Sequence, residues 1–209
     1  MKLSLSSGLR ALLWVIASLF GWITLYFFVF KGATGYNNPI VLGSIALVSG
    51  LTILIPEVIF LHPRIRARFD GVLRVTLCSA IAVPIIMSWL GTFRWYGAGW
   101  GYDSFVHFVA SGAGALIVLL VLVLVGATDF KLRASVFVIF VLMIFLGGTA
   151  NELFERYSDL WWGTTMFGEP GEPNDTIRDL MHNILGATVG SVICLVHGER
   201  IAKYLSRRP

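Results

Sequence analysis

Charged side chains are scarce in this sequence. Only 13% of the 209 residues are Asp, Glu, Lys or Arg, whereas 56% are hydrophobic and the mean hydropathy is +0.79. An ordinary soluble domain carries roughly 25% charged residues. This composition excludes a disordered chain and argues against a soluble enzyme. It predicts an all-α, polytopic membrane protein that forms a single domain over residues 1–209.

Cysteines and compact basic runs are also sparse. Cys78 and Cys194 stand far apart in apolar segments without metal-binding spacing, which predicts inert thiols facing lipid or the protein core. The sequence pI is about 9.3, yet no run of five or more basic residues occurs, so we expect no nucleic-acid partner. The sequence also lacks HExxH, GxSxG and phosphate-cradling glycine motifs.

Long apolar runs make up most of the chain. A helix of about 20 apolar residues crosses the ~30 Å hydrocarbon core, because each residue advances it by about 1.5 Å. The sequence predicts six transmembrane helices. They cover residues 11–30, 40–61, 73–92, 104–126, 134–153 and 176–197. The first is too long for the apolar part of a signal peptide and no cleavage site follows it, so we expect it to stay uncleaved.

The distribution of charge predicts the orientation of these helices. With the N-terminus inside, 12 of the 16 Lys and Arg residues fall in inner segments, and 8 of the 12 acidic residues fall in outer segments. Both termini are therefore expected in the cytoplasm, and residues 198–209 form a basic tail. We expect a multi-pass protein of the plasma (inner) membrane, with three helices in residues 1–100 and three in 101–197.

Three polar stretches occur at the outer ends of the last three predicted helices. The fourth helix begins with Tyr102-Asp103-x-x-x-His107-Phe108. The fifth ends with Asn151-Glu152-x-x-Glu155-Arg156, and the sixth begins with Asp175-Thr176-x-x-Asp179-x-x-His182-Asn183. Residues three or four positions apart share one face of a helix. Because neighbouring helices alternate in direction, the sequence predicts one acidic, histidine-containing pocket on the non-cytoplasmic side.

The acids of this pocket need compensation. An acid at the centre of a membrane helix costs about 2.5–3.5 kcal/mol, and neighbouring carboxylates repel each other. Protons, the cations Arg156 and Arg178, or a divalent metal ion such as Mg²⁺, Mn²⁺ or Zn²⁺ would offset this cost. The predicted metal ligands, which are also the predicted catalytic residues, are Asp103, His107, Glu152 and Asp179. The predicted substrate-binding residues are Glu155, Asp175, His182 and Asn183.

Several of these residues have a purely structural alternative. Asp103 and Asp175 suit the N-cap position of a helix, where a side-chain oxygen accepts from free backbone N–H groups. Glu155 could pair with Arg156, and His182 could simply pack. The outer aromatic residues suit either an interfacial belt or a lip beside a headgroup site. They are Trp95, Tyr96, Trp100, Tyr102, Tyr157, Trp161 and Trp162.

Small residues lie just inward of each polar stretch. They are concentrated in residues 110–115, in residues 147–150 and in the GxxxG segment from Gly186 to Gly190. Small side chains let helix backbones approach closely in a membrane. We therefore expect the fourth, fifth and sixth predicted helices to pack tightly beneath the polar pocket.

The order of these motifs resembles VanZ-like membrane proteins, and most closely the related YjdF-like group. The matching residues are Tyr102-Asp103, His107-Phe108, Glu152, Glu155, Asp175-Thr176, Asp179-Leu180, Asn183 and Gly186-Ala187. The resemblance covers residues 100–192. It differs from VanZ in having Glu155 where Gln is usual and a longer loop before Asp175. The resemblance implies an envelope protein and associates it with glycopeptide resistance, without implying a defined reaction.

Three functions remain open at this point. The first is a metal-assisted hydrolase or transferase that acts on a lipid-linked or headgroup substrate. The second is binding or transport of a cation or small molecule, which a polar path from Asp179 to Glu57 would favour. We expect Glu57 instead to be neutralised by the cluster from Arg64 to Arg68. The third is a scaffold or accessory protein in which the polar cluster joins helices.

Overall fold

The computed structural model describes residues 5–30, 38–69, 71–95, 101–125, 134–164 and 174–205. Within these ranges the chain forms seven α-helices, and a π-helical turn, Gly91–Trp95, follows the fourth. The helices are α1 (Leu5–Val29), α2 (Pro39–Ile59), α3 (Pro63–Arg68), α4 (Gly71–Leu90), α5 (Tyr102–Leu124), α6 (Ala134–Trp162) and α7 (Asp175–Leu205). The predicted all-α class is therefore confirmed for the part of the chain that the structure describes.

Five stretches within these helices are long and apolar enough to cross a membrane. They are Ser7–Val29, Pro39–Ile59, Gly71–Phe93, Tyr102–Leu124 and Asp175–Gly198. Each agrees with a predicted transmembrane helix to within a few residues at either end. The protein is thus a multi-pass membrane protein. Between 28% and 39% of the residues in each stretch are buried against the rest of the protein.

The remaining predicted span, residues 134–153, lies within α6. This helix has 29 residues, and its sequence holds no charged residue before Glu152. Several of its side chains lie outside the described residues, and the five stretches above were found among the described residues alone. The sixth span therefore stays a prediction, as does the orientation of the termini.

The starts of α2 and α5 show two ways of beginning a helix. Asn38 accepts a hydrogen bond from the backbone N–H of Val41 (3.4 Å), and a proline follows at the first helical position. Before α5, Gly101 has a φ of 73°, a left-handed conformation that glycine adopts without strain. The N-cap of α5 is thus Gly101, and Asp103 lies inside the first turn instead of capping it.

Two apolar clusters form the core. One joins α1, α2 and α4 around Phe20, Phe27 and Trp89, with the indole N–H of Trp89 donating to Ser49 Oγ (3.2 Å). The other joins α4, α5 and α7 around Leu119 and its neighbours. Because α4 contributes to both clusters, it connects the first two helices to the half of the protein that carries the polar stretches. The two thiols, Cys78 and Cys194, are both buried, as expected.

Helices α5 and α7 pack backbone to backbone. A Cβ atom added at Gly186 would stand 2.1 Å from the carbonyl oxygen of Phe108, and one added at Gly190 would stand 2.6 Å from the carbonyl oxygen of Gly112. On the α6 side, a Cβ at Gly148 would stand 2.6 Å from Asn183 Nδ2. The predicted close packing of small residues beneath the polar stretches is confirmed, and it holds the helices in register.

An ion-pair cluster lies at the opposite end of the bundle. The guanidinium of Arg10 donates to both carboxylate oxygens of Glu57 (2.6–3.0 Å), and Arg74 Nε lies 3.4 Å from the same carboxylate. The partners of Glu57 are thus on α1 and α4. The expectation that the Arg64 to Arg68 cluster neutralises Glu57 was wrong, because the bundle brings the starts of α1 and α4 to the end of α2.

Candidate functional site

One histidine lies among three carboxylates. The Nε2 atom of His107 is 3.7 Å from Asp103 Oδ1, 3.8 Å from Glu152 Oε1 and 3.9 Å from Asp179 Oδ2. Asp103 and His107 belong to α5, Glu152 to the last part of α6 and Asp179 to the second turn of α7. Three helices therefore meet at this point, which we call the His107 cluster and define as Asp103, His107, Glu152 and Asp179.

The His107 cluster is largely withdrawn from solvent. The side chains of Asp179, Glu152 and His107 are 2%, 6% and 9% exposed, whereas that of Asp103 is 34% exposed. Asp103 therefore forms the accessible side of the cluster, and the other three groups form its buried wall.

Two buried carboxylate oxygens of the cluster lack hydrogen-bond donors. Within the described residues, no group donates to Asp179 Oδ1 or to Glu152 Oε1. The carboxyl groups of Asp103 and Asp179 also lie within hydrogen-bonding contact of each other. Because a buried polar atom without a partner is costly, the cluster has capacity for a proton or a cation that the protein itself does not supply.

Three members of the cluster lie close enough together to reach one metal ion after a small movement. One ligand atom each from Asp103, His107 and Asp179 lies within 4.8 Å of the other two. Ligands that bind one ion at about 2.1 Å stand roughly 3.0–3.4 Å from each other. An inward movement of about 1 Å would therefore bring these donors onto a common ion. Glu152 Oε1 lies next to the triad through its 3.8 Å approach to His107.

A second layer of polar groups supports α7. Ser111 Oγ donates to Asn183 Oδ1 (2.7 Å), and the side chain of Asn183 also lies against Gly148 of α6. Asn183, predicted to bind substrate, is 2% exposed and lies behind the cluster. Ser111 was not among the predicted site residues, although it follows His107 by four residues on the same helical face. That spacing was the signal that could have identified it.

The other predicted substrate-binding residues lie around the cluster and bond locally. Glu155 accepts a hydrogen bond from Asn151 (2.7 Å), and Asp175 accepts one from Arg178. His182 Nδ1 lies 2.8 Å from the carbonyl oxygen of Arg178. The ionic contacts to His107 thus come from Asp103, Glu152 and Asp179, and these other side chains bond within their own helices. Arg178, considered as a counter-charge for the pocket, pairs with Asp175 at its edge.

The outer aromatic residues divide into two groups. Tyr157 and Trp161 stack at a centroid distance of 4.8 Å, and they and Trp162 are exposed at the end of α6. Tyr102 is instead buried, and its hydroxyl donates to the carbonyl oxygen of Met87 (2.7 Å). Tyr102 thus joins α5 to α4 and does not belong to an interfacial belt. The remaining predicted belt residues, Trp95, Tyr96 and Trp100, have side chains outside the described residues.

Comparison with known proteins identifies a family for the chain. No curated protein and no solved structure matches it. The model of a family described as "Predicted membrane protein (DUF2238)" matches residues 12–200, which include all five membrane-crossing stretches except residues 7–11 of the first. With nearly its whole length matched, and with the multi-pass helical fold described above, the chain belongs to this family of predicted membrane proteins.

Proposed function

We propose that the protein is a metal-assisted hydrolase or transferase of the cell envelope, acting on a lipid-linked or headgroup substrate at the non-cytoplasmic membrane face. The observation that carries this proposal is the approach of three carboxylates from three helices to one imidazole. Even a protonated His107 balances only one of three ionised acids. A divalent cation removes the excess negative charge and also satisfies the oxygens that lack donors.

The residues of the cluster divide into roles under this proposal. Asp103, His107 and Asp179 would hold a Mg²⁺, Mn²⁺ or Zn²⁺ ion, because one donor atom of each lies within 4.8 Å of the other two. Such an ion lowers the pKa of a water molecule and stabilises negative charge on a substrate oxygen. Glu152 completes the catalytic set and accepts the proton of the attacking water, since its unpartnered Oε1 faces His107.

The approach to the cluster suits an amphiphilic substrate. Asp103 is the exposed member, and Glu155, Asp175 and His182 lie around the entrance, where polar headgroup atoms could bond. The exposed aromatic residues Tyr157 and Trp161 stand at the end of α6, at the level where such rings contact lipid headgroups. Asn183 supports this arrangement from behind by fixing α7 against Ser111.

The proposal includes a sixth membrane span. Helices α5 and α7 both start at the cluster and run away from it, so the chain must return across the bilayer between them. With 29 residues, α6 is about 43 Å long, which exceeds the ~30 Å hydrocarbon core. With both termini in the cytoplasm, the His107 cluster faces the non-cytoplasmic side of the plasma membrane. The resemblance to VanZ-like proteins supports the same placement in the envelope.

The alternative function is a scaffold or accessory role, which the close packing of the helices favours. The glycine contacts between α5 and α7 and the Ser111–Asn183 bond join the helices without any need for chemistry. In that case the acids of the cluster share protons and bind no metal. Binding or transport of a cation is favoured less, because Glu57 at the opposite end is engaged by Arg10 and Arg74.

Metal content and turnover test the proposal together. The full chain, purified in nanodiscs and loaded in turn with Mg²⁺, Mn²⁺ and Zn²⁺, is expected to retain about one ion per chain by elemental analysis. With the preferred ion it is expected to release headgroup from phosphatidylethanolamine or phosphatidylglycerol, as measured by mass spectrometry. His107→Gln and Asp179→Asn are expected to lose both properties while remaining inserted and folded.

Asp159→Asn is the matched control for these variants. Asp159 is at the same end of α6, but its carboxylate accepts from Thr164 (2.6 Å) instead of facing His107. The control is expected to keep the metal and the activity. A folded wild-type protein that binds none of the three ions would overturn the metal centre, and cluster variants with full activity would overturn the catalytic assignment.

A further inference from the structure

Two cavities adjoin at the end of the molecule opposite to the His107 cluster. A polar pocket of about 290 Å³ between α1 and α4 is lined by Arg10, Trp14 and Arg74, among others. A larger groove of about 770 Å³ is lined by α4, α5 and α7 and by Leu9 of α1. Val75 lines both cavities, so the charged pocket and the groove are neighbours at this residue.

The groove is elongated, apolar and open. Helices α4 and α7 both pack on α5 and form its walls, while Gly112, Ala113 and Leu116 of α5 form its floor. Its α4 wall extends from Val72 to Val83, which is about 16 Å along the helix axis. This is roughly half of the ~30 Å hydrocarbon core, or the depth of one lipid leaflet.

The pocket carries excess positive charge. Among the described residues, two guanidinium groups, Arg10 and Arg74, face one carboxylate, Glu57. Arg74 Nε is buried and donates no hydrogen bond within the described residues. Glu57 Oε1 lies 3.4 Å away, but the N–H group is not directed at it well enough for a hydrogen bond. Arg66 of the short helix α3 is exposed and lines neither cavity, and Asp70, beside Gly71, lies outside the described residues.

We propose that these two cavities together bind one anionic phospholipid. Its phosphate lies against Arg10 and Arg74, and one acyl chain lies in the groove between α4 and α7. Charge complementarity selects an anionic headgroup, and the apolar lining and leaflet-deep length select an acyl chain. In the predicted orientation this is a lipid of the cytoplasmic leaflet, and the site does not depend on the function proposed for the His107 cluster.

Native mass spectrometry of the full chain with added lipid tests this proposal. The probes are phosphatidylglycerol and phosphatidylcholine with identical acyl chains. Retention of phosphatidylglycerol is expected to exceed that of phosphatidylcholine, and Arg74→Gln is expected to reduce this preference about fivefold. Glu57→Gln removes the opposing charge and is expected to increase the preference about fivefold, a gain that misfolding cannot produce.

A second pair of variants tests the groove. Ser79 lines the groove and is half-buried, so Ser79→Phe fills the groove and is expected to reduce retention of both lipids at least about tenfold. The control Ser44→Phe places the same ring on the exposed face of α2 and is expected to change nothing. Arg66→Gln is the corresponding control for charge.

Three results would overturn the proposal. Equal retention of the two lipids would remove the headgroup assignment. Unchanged retention in Ser79→Phe would show that the acyl chain lies elsewhere. A change of oligomeric state in Ser79→Phe, without a change in lipid retention, would assign the groove to a helix of a second copy.

Discussion

Asp179 is the most deeply buried acid of the His107 cluster. Its side chain is 2% exposed, its Oδ2 lies 3.9 Å from His107 and its Oδ1 receives no hydrogen bond within the described residues. Removing charge from such a group relieves repulsion in the empty cluster, but it also removes a ligand from an occupied one. Substitution of Asp179 should therefore raise the stability of the protein without metal and lower it, relative to the wild type, when the metal is bound.

We predict that sign change for Asp179→Asn. In chelator, the variant is expected to unfold about 2–4 °C above the wild type, the shift for roughly 1 kcal/mol in a domain of this size. With Mn²⁺ at about 100 times its dissociation constant, the wild type should gain about 2.7 kcal/mol and the variant should gain none. Thermal unfolding followed by circular dichroism in the same nanodiscs measures both.

Asp159→Asn is again the control and is expected to follow the wild type in both conditions. If Asp179→Asn instead unfolds at a lower temperature in chelator, the Asp179 carboxylate stabilises the empty bundle. That result would favour a scaffold in which the cluster joins helices α5, α6 and α7.

At the scale of single elements, the close approach of α5 and α7 determines the geometry of the site. His107 is next to Phe108, and Asp179 precedes Gly186 by about two helical turns, and the two backbones touch at Phe108 and Gly186. A wider separation of these helices would draw Asp179 away from His107. The glycines of α7 therefore matter for the site as well as for packing.

We predict that Gly186→Ala is strongly destabilising. Its Cβ would stand 2.1 Å from the Phe108 carbonyl oxygen, which belongs to the backbone and cannot turn away. The free energy of unfolding is expected to fall by about 3 kcal/mol, and the cluster should lose its metal. Denaturation in detergent and elemental analysis measure the two effects.

Gly147→Ala is the matched control, because a Cβ at Gly147 meets nothing within 4 Å. It is expected to be neutral or to stabilise α6 by up to about 1 kcal/mol, the difference in helix propensity between the two residues. Equal losses in both variants would show that glycine flexibility, and not the α5–α7 contact, is what the protein needs.

At the scale of the whole molecule, the His107 cluster constrains the topology. Contacts among the start of α5, the end of α6 and the start of α7 place these three ends on one side of the bundle. The Glu57 ion pairs place the starts of α1 and α4 and the end of α2 on the other side. The excess of Lys and Arg in the segments at this second side predicts that it is the cytoplasmic one.

This topology can be tested by labelling single cysteines in whole cells. In a background of Cys78→Ala and Cys194→Ala, Thr164→Cys is expected to react with a membrane-impermeant maleimide in intact cells. Arg66→Cys should react only after the membrane is permeabilised. Labelling of both positions in intact cells, or of neither, would contradict six spans with cytoplasmic termini.

The apolar patterning of the sequence was sufficient to predict the five membrane-crossing stretches that the described residues contain. Runs of about 20 apolar residues have one stable form in lipid, because each backbone polar group must bond within its own helix. The i, i+4 spacing was likewise sufficient to pair Asp103 with His107. Helix geometry relates these residues locally, so no tertiary information was needed.

Only the tertiary structure decided which of the polar residues meet. The sequence offered eight candidates at the outer helix ends, and helix rotation brings Glu152 and Asp179 to His107 while Glu155, Asp175 and His182 remain around the entrance. The same holds for Glu57, whose partners Arg10 and Arg74 are distant in the sequence. The low charge content and the length of the apolar segments determine that the chain enters a membrane, because both are properties of each segment by itself. Contacts between helices depend on how their small and large side chains interlock, and that is a property of the packed bundle.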